Sequence, residues 1–386
     1  MMSPASIPWI QLVSHAVPIL FLCALATVIL VADLWWREHD RTPLLGAAVI
    51  GCLFAAGFDR LTWMGGIVVL IAAALTICAA GAYLRERRLP MGEFLALFLY
   101  GVAGIWLMIA TTNLLMIFIG LETLSLSAYV LAAFHRAERR SVEAGIKYFL
   151  LGSVAAAFLL FGIAFLYGGT GTTDLQAMAQ VIGGTQGAME RVYSVIGAAL
   201  ILVGLGFKIA AVPFQFWTPD VYEGAPLPVT AFFATGVKAG AFLVLWRAAE
   251  ALTTLGGPAW TSVVTVLAVA TMTVGNCAAL MQEDVKRMLA YSSIAHAGYA
   301  LIGVLVMGGA PLLFYLTAYT VMTMGAFAVV IALGTEAKER TAIFAFAGLG
   351  SDRPWLAAAM TLFLLSLAGV PPTVGFFAKY YLFQAA

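Results

Sequence analysis

Long apolar segments, almost free of charged residues, follow one another along nearly the whole chain. Of the 386 residues, 63% are hydrophobic and only 10% are charged, whereas roughly a quarter of the residues in an average soluble domain carry a charge. A soluble chain of this size has to cover its surface with polar side chains, and so few charges cannot do that. The sequence therefore predicts a chain whose solvent is the hydrocarbon interior of a membrane.

The length of these segments predicts the number of membrane spans. About 20 mostly apolar residues are needed to cross roughly 30 Å of hydrocarbon. Lipid cannot hydrogen-bond to the backbone, so only helices or closed barrels cross it, and segments of this length indicate helices. We predict an all-α polytopic membrane helix bundle of about twelve transmembrane helices. The predicted spans are 12–33, 43–58, 65–84, 93–111, 112–134, 145–167, 194–214, 227–247, 261–281, 287–307, 311–334 and 355–386.

Charge and cysteine content exclude several classes of function. Twenty Lys and Arg against nineteen Asp and Glu give a net charge of +1, so no nucleic-acid partner is predicted. The four cysteines are separate from one another in apolar runs, without the spacing of a zinc, iron–sulfur or disulfide site. The loop GGTGTTD at 168–174 lacks the GK[ST] of a phosphate-binding loop. We therefore expect lipid around the chain and no metal or redox cofactor within it.

Basic residues between the spans predict the orientation in the membrane. Thirteen Lys and Arg residues, among them Lys286 and Arg287, follow odd-numbered spans, and three follow even-numbered spans. Cytoplasmic loops carry an excess of basic residues, so the N-terminus is predicted to lie outside the cytoplasm. The N-terminal stretch has no basic region of the kind that begins a secretory signal. We therefore expect its apolar run to be a retained first helix.

Four charged residues lie deep inside the predicted spans. Glu122, Lys208 and Lys238 are each several turns from either membrane surface, and Lys379 follows the Pro371-Pro372 pair of the last span. Each charge near the bilayer centre costs about 2.5–3.5 kcal/mol on insertion scales. Snorkelling or simple pairing is an alternative explanation, and it fits Lys147 best, four residues after Glu143. For Glu122, Lys208, Lys238 and Lys379, the energetic cost of burial indicates a functional role.

Proton exchange is the chemistry available to buried lysines and a glutamate. Burial favours the neutral form of such groups and pairing favours the charged form, so moving one charge can change the protonation of its neighbour. A line of these groups connected by water is a switchable proton relay. The sequence also contains an internal repeat, because residues 121–131 align with residues 291–301 when Tyr129 is matched to Tyr299. His296 then lies in the helix of the second half that corresponds to the helix of Glu122 in the first half. Histidine titrates close to neutrality, which favours a place in the relay over a packing role.

Two helix breaks accompany the buried lysines. Pro213 follows Lys208 by five residues, and Pro371-Pro372 precede Lys379. Proline inside a span frees backbone carbonyls, which are tolerated only inside protein or beside a water-filled cavity. Paired broken helices in two halves are typical of transporters built from repeats.

The segment that holds these residues resembles a known family. Residues 204–240 read GLGFKIAAVPFQFWTPDVYEGAPLPVTAFFATGVKAG and resemble subunit N of the proton-pumping NADH–quinone oxidoreductase, respiratory complex I. The same holds for LETLSLSAYVLAAF (121–134), SVEAGIKYFLLGS (141–153), VKRMLAYSSIAHAGYALIG (285–303) and LSLAGVPPTVGFFAKYYLF (365–383). The resemblance runs in order from about residue 93 to the end.

The resemblance implies roles for individual residues. Glu122 matches the family's helix-5 glutamate, thought to modulate a helix-7 lysine, and Lys208 matches that lysine. Lys238 matches the helix-8 lysine in the middle of the pathway, and Lys379 matches the helix-12 lysine where protons are exchanged or passed on. Two further positions of the polar axis are matched by His296 and Lys147.

The resemblance also implies an organisation in two inverted repeats, each with a broken helix. We expect N-terminal helices 1–3 in residues 1–92, a first repeat (helices 4–8) in 93–250 and a second, incomplete repeat (helices 9–12) in 251–386. Family members continue past helix 12, so a natural short form or a truncation at Ala386 is expected. Gln215 stands where members commonly have histidine. It cannot carry a proton, so the link from Lys208 to Lys238 is expected to rely on water.

Together these features predict a multi-pass subunit of a bacterial inner membrane that moves protons through the Glu, Lys and His residues. It would bind no cofactor itself, while the complex uses NADH and quinone. Its expected partners are the other membrane-arm subunits of complex I, including antiporter-like sister subunits. Two alternatives remain open, a Na⁺ or K⁺/proton antiporter subunit and a structural subunit that does not pump.

Overall fold

The computed structural model describes residues 9–35, 42–54, 60–184, 187–334 and 339–386. Helices dominate these ranges, and no strand is present in them. The predicted all-α class is confirmed. Some residues that entered the predictions lie outside the described ranges, namely the topology markers Arg37, Arg41 and Lys338 and residues 55–58 of the second predicted span.

The helices are α1 (Trp9–Trp35), α2 (Thr42–Phe54), α3 (Arg60–Glu86), α4 (Met91–Ile109), α5 (Leu114–Ala132), α6 (Arg139–Thr170), α7 (Leu175–Gly183), α8 (Ala188–Ile209), α9 (Trp217–Gly224), α10 (Leu227–Phe232), a π-helical turn (Phe233–Val237), α11 (Lys238–Ala279), α12 (Val285–Leu305), α13 (Gly309–Leu333), a 3₁₀ turn (Ile343–Phe346), α14 (Leu349–Asp352), α15 (Pro354–Ala368) and α16 (Val374–Ala385).

Eight of the helices in the described ranges are long and apolar enough to cross a membrane. One of them runs from Leu227 to Ala279 and contains two predicted spans, which are divided by a kink at Gly257 with φ 50° and ψ −134°. Other apolar helices, such as Pro354–Ala368, are shorter than a full span. The structure therefore fits a polytopic bundle, and the count of about twelve spans is not confirmed.

Polar residues at the helix starts satisfy amide groups that have no partner within the helix. The Asn113 side chain accepts hydrogen bonds from the first turn of α5, and Asp284 does the same for α12. Asp174 accepts two amide hydrogen bonds at the start of α7. These caps fix the beginnings of the helices that hold the buried polar residues.

Both predicted helix breaks are present. After α8 the chain leaves the helix at Ala210, whose φ of 60° is left-handed, and helix resumes at Trp217 beyond Pro213. The second break separates α15 from α16 and contains Pro371 and Pro372. Carbonyl groups near each break have no next turn of helix to bond with, so they are available to side chains.

Glycines let α4 and α5 approach closely. A Cβ atom added at Gly104 would lie 2.6 Å from the Gly120 carbonyl oxygen, and one added at Gly120 would lie 2.7 Å from the Gly104 carbonyl oxygen. At Gly101, one turn earlier on α4, the nearest atom to an added Cβ is 3.5 Å away. The contact at Gly104 and Gly120 thus sets the separation of α4 from the helix that carries Glu122.

Candidate functional site

Lys208 lies at the end of α8 with its ammonium group enclosed by three helices. Its side chain is 3% exposed. Nζ donates to Ser125 Oγ of α5 at 3.0 Å and to Tyr148 Oη of α6 at 3.2 Å. Both acceptors are neutral hydroxyls, so no counter-charge touches this buried cation at either hydrogen bond.

Glu122 lies on α5, one turn before Ser125, and interacts electrostatically with Lys208. In the described part of the chain no salt bridge within 4.0 Å joins the two. The Glu122 Oε1 atom is buried and has no hydrogen-bond partner there. The structure thus brings the predicted pair together as separated charges rather than as a contact ion pair.

Lys238 follows the π-helical turn directly and is 2% exposed. Its Nζ atom donates to the backbone carbonyl oxygen of Ser293 on α12 at 2.8 Å. The Ser293 hydroxyl in turn accepts a hydrogen bond of 2.9 Å from Tyr319 of α13. Lys238 therefore has a neutral acceptor like Lys208, and a chain of hydroxyl groups continues from that acceptor.

His296 lies on α12 one turn beyond Ser293 and is buried. Its Nδ1 atom is 2.7 Å from the Tyr315 hydroxyl oxygen, and its ring packs 4.9 Å from the ring of Tyr319. The histidine is therefore surrounded by phenols on α13. One of these phenols, Tyr319, also bonds to the hydroxyl of Ser293, the residue whose carbonyl oxygen accepts from Lys238.

Lys379 lies on α16, where it uses the carbonyls freed by the second break. Nζ donates to the Leu367 oxygen at 2.9 Å and the Ala368 oxygen at 3.1 Å, both in the last turn of α15. It also lies 4.7 Å above the ring of Tyr299, which is 5.9 Å from the ring of His296. Tyr299 thus lies between the predicted Lys379 and His296 positions.

The environment of Lys147 differs from that of the other predicted lysines. Its Nζ atom forms ion pairs of 2.8 Å with Glu143 and 2.7 Å with Asp220, and its side chain is 42% exposed. Asp220 also pairs with Arg287 at 3.0 Å. Burial acts to raise the pKa of Asp220, but hydrogen bonds from Lys147 and Arg287 outweigh it and lower that pKa. Lys147 therefore belongs to an ion-pair network, although the next residue, Tyr148, contacts Lys208.

Lys286 corrects one sequence-based assignment. It was predicted as a basic loop residue, but α12 begins at Val285, and the Lys286 side chain is buried. It pairs with Glu339 at 2.8 Å and donates to the Ala225 carbonyl oxygen at 2.7 Å. Burial acts to raise the pKa of Glu339, but attraction to Lys286 and hydrogen bonds from Lys286 and Tyr83 lower it. This pair borders a polar cavity of about 420 Å³.

Sequence reasoning missed the hydroxyl groups that surround the charged residues. Serine, threonine and tyrosine are common in membrane helices as hydrogen-bond partners, so composition alone does not single them out. The available signal was spacing, since Ser125 follows Glu122 by three residues and Ser293 precedes His296 by three. The hydroxyl residues in contact with predicted site residues or with their acceptors are Ser125, Tyr148, Ser293, Tyr315 and Tyr319.

Comparison with a family described as NADH:quinone oxidoreductase/Mrp antiporter, TM, shows a match over residues 111–386. NADH-quinone oxidoreductase subunit N 1 of Sorangium cellulosum is 49% identical over 343 residues, which are 85% of this chain and 67% of that protein. NADH-quinone oxidoreductase subunit N of Trichlorobacter lovleyi is 42% identical over 395 residues, 96% of this chain and 80% of that protein.

A solved structure gives the same result. A chain of respiratory complex I from Thermus thermophilus with bound aureothin superimposes with a TM-score of 0.79 at 36% identity, covering 95% of this chain and 82% of that chain. These relatives favour the proton-translocating interpretation over the antiporter and scaffold alternatives, and they confirm the resemblance inferred from the motifs. The chain belongs to the subunit N family of the NADH–quinone oxidoreductases.

Proposed function

We propose that this chain moves protons across a bacterial inner membrane as a subunit of the membrane arm of an NADH–quinone oxidoreductase. The protons would pass along Glu122, Lys208, Lys238, His296 and Lys379. One observation carries the proposal. The two most deeply buried lysines of this line, Lys208 and Lys238, donate to neutral hydroxyl or carbonyl groups rather than to a carboxylate in contact.

The neutral partners matter because an unpaired cation in a low-dielectric interior is poorly stabilised. A buried lysine in this state can release its proton when the field around it changes. The carboxylate of Glu122 interacts electrostatically with Lys208 without a contact ion pair. Moving negative charge towards or away from Glu122 would therefore change the proton affinity of Lys208. Lys208 would then exchange its proton with Lys238 and the residues beyond it.

The energy for pumping has to come from outside this chain. Moving one proton against 100 mV requires about 2.3 kcal/mol. In the ranges that the structure describes, no cluster of three or more His, Cys, Asp or Glu residues is placed to hold a metal ion. We propose that NADH and quinone react in other subunits and that this subunit has no redox role. Its partners would be other membrane-arm subunits, including antiporter-like sister subunits.

We further propose that residues 93–250 and 251–386 form two inverted repeats after an N-terminal part, 1–92. Corresponding backbone bridges support this division. The residue that caps α5, Asn113, forms an isolated antiparallel β-bridge with Asp174 after α6, and the residue that caps α12, Asp284, forms one with Ala342 after α13. The excess of basic residues after odd-numbered spans supports an N-terminus outside the cytoplasm.

The test is proton pumping by the whole complex, purified and reconstituted into liposomes, with Lys208→Ala or Lys238→Ala in this subunit. We expect fewer protons translocated per NADH oxidised in both variants. Lys147→Ala is the matched comparison, because Lys147 is ion-paired and half exposed, and its effect should be smaller. Undiminished pumping by both Lys208→Ala and Lys238→Ala would overturn the proposal. Pumping that depends on Na⁺ or K⁺ rather than on protons would support the antiporter alternative.

A further inference from the structure

Tyr222 lies between the partners of the two buried lysines. It belongs to α9, the short helix that follows the first break, and its side chain is completely buried. Its ring and that of Tyr148, one of the two acceptors of Lys208, have the same two neighbours, Trp217 and Phe233. Helix α9 also packs against α12, which carries Ser293, the residue whose carbonyl binds Lys238. The Tyr222 hydroxyl interacts electrostatically with Tyr148 and with Tyr319, which bonds to Ser293. A single phenol is thus adjacent to both lysine environments.

No protein group completes a hydrogen bond to the Tyr222 hydroxyl in the described part of the chain. Two more buried polar atoms nearby in the sequence, Gln215 Oε1 of the break and Thr218 Oγ1 of α9, also have no partner there. A buried polar atom without a hydrogen bond is destabilising, and such atoms in folded proteins are commonly satisfied by ordered water. Three of them between Gln215 and Tyr222 therefore point to bound water at the start of α9 and beside Tyr222.

Packing explains the Tyr222 ring but not its hydroxyl. The ring lies 6.1 Å from that of Trp217 and 6.5 Å from that of Phe233. A phenylalanine would make the same ring contacts without burying an unpaired polar atom. The hydroxyl is therefore the part of the side chain that requires another explanation.

We propose that Tyr222 is a positioning residue for proton transfer, and that its hydroxyl holds the water that links Lys208 to Lys238. This inference rests on the proposed function. A proton leaves the Lys208 ammonium and another arrives at the Lys238 amine. Each water or hydroxyl between them gives up one proton as it receives one, so none of them changes its net charge. Thr218, one turn before Tyr222 on α9, supplies a further acceptor for the same water.

The test is Tyr222→Phe in the whole complex, reconstituted into liposomes. We expect proton translocation to slow by about fivefold, the effect of losing one hydrogen bond of ordinary strength. We also expect the ratio of pumping rates in H₂O and D₂O to rise, because proton transfer then limits the rate. A merely structural role would not change this ratio. Tyr193→Phe is the matched control, since Tyr193 lies on α8 with 38% of its side chain exposed, and it should leave both quantities unchanged.

The outcomes separate this inference from the proposed function. If Lys208→Ala stops pumping but an assembled Tyr222→Phe complex pumps normally with an unchanged isotope ratio, the role of Tyr222 is wrong and the relay stands. If Lys208→Ala and Lys238→Ala both pump normally, the relay itself is wrong. If Tyr222→Phe does not assemble, Ser293→Ala tests the same water link from its other end. An unchanged rate and isotope ratio in Ser293→Ala would then overturn the inference.

Discussion

The Lys208 ammonium lies 3.2 Å from the hydroxyl oxygen of Tyr148, on a different helix and 60 residues away in sequence. Tyr148 is completely buried, and its ring stacks 4.5 Å from that of Trp217 at the start of α9. The phenol is thus held in place by its ring and presents only a neutral oxygen to the lysine. This arrangement stabilises the cation less than a carboxylate in contact does, which suits a group that has to release a proton.

Replacing Tyr148 with phenylalanine should weaken pumping while preserving the fold. The ring contacts with Trp217 remain, and Lys208 loses one of its two acceptors, a change of about 1 kcal/mol. We expect about a fivefold lower rate of proton translocation per complex, measured in proteoliposomes. Tyr167→Phe, on the exposed side of the same helix, provides the control. Normal pumping by Tyr148→Phe would show that Ser125 alone is a sufficient acceptor.

Adding a methyl group at Gly104 should destabilise the packing of α4 against α5. The new Cβ would meet the Gly120 carbonyl oxygen at 2.6 Å, and overpacking of this kind costs about 1–3 kcal/mol. Gly101→Ala is matched in helix and chemistry, and its nearest neighbour is 3.5 Å away. It should be neutral or stabilising, because alanine favours a helix by about 1 kcal/mol over glycine. Thermal unfolding of the purified complex measures the stability of both variants. Equal changes in stability at Gly104 and Gly101 would contradict the close contact at Gly104.

Breaking the buried ion pair of Lys286 and Glu339 should be strongly destabilising. The Lys286 side chain is 2% exposed, so Lys286→Ala leaves a largely buried carboxylate without its counter-charge, at a cost of about 3–5 kcal/mol. We expect a lower thermal midpoint or reduced incorporation of the subunit into the complex. Glu143→Ala removes an exposed partner of Lys147 and should change stability little. Similar losses in the two variants would contradict the predicted difference between buried and exposed pairs.

The same pair predicts a dependence of stability on pH. The pKa of Glu339 is lowered from its ordinary value of 4.5. A carboxyl group with a lowered pKa in the folded state stabilises the fold above its unfolded pKa, and this contribution is lost as the pH falls through the folded value. The stability difference between the wild type and Glu339→Gln should therefore be constant above about pH 5 and shrink at lower pH. Thermal unfolding midpoints of both proteins, measured across this pH range, test the sign of the effect. A stability difference that grows as the pH falls would contradict the prediction.

Much of the fold class could be predicted because lipid imposes strict rules on sequence. Apolar segments long enough to span a membrane indicated the helices, and Pro213 and Pro371 marked the two breaks that the structure contains. The number of spans was harder to predict. The predicted spans 227–247 and 261–281 are separated by a non-helical residue, Gly257, whereas the last predicted span, 355–386, divides into the two short helices α15 and α16. Hydropathy reports burial in lipid, and it does not report where a helix bends.

The candidate site was likewise predictable only in part. Glu122, Lys208 and Lys238 stood out in the sequence because charge is rare and costly within a span. Their environments could not be predicted, since the acceptors of Lys208 lie 83 and 60 residues away and that of Lys238 lies 55 residues away. Lys286 illustrates the difficulty most clearly, because it was placed in a loop and is buried. The pairing of Lys147 with Glu143, four residues earlier, could be anticipated from the sequence, whereas its second partner, Asp220, is 73 residues away.

The sequence alone determined that this chain lies in a membrane, that it is helical, and which titratable residues are present at depths where they are costly. Those properties follow from the composition of each segment and from its contact with lipid. Only the tertiary structure decided which buried lysines have neutral acceptors and which have a carboxylate, and it buried the Tyr222 hydroxyl without a hydrogen-bond partner in the described part of the chain. The physical reason is that proton affinity depends on the atoms within a few ångströms of a group. Those atoms are brought together by the packing of helices that are distant in sequence.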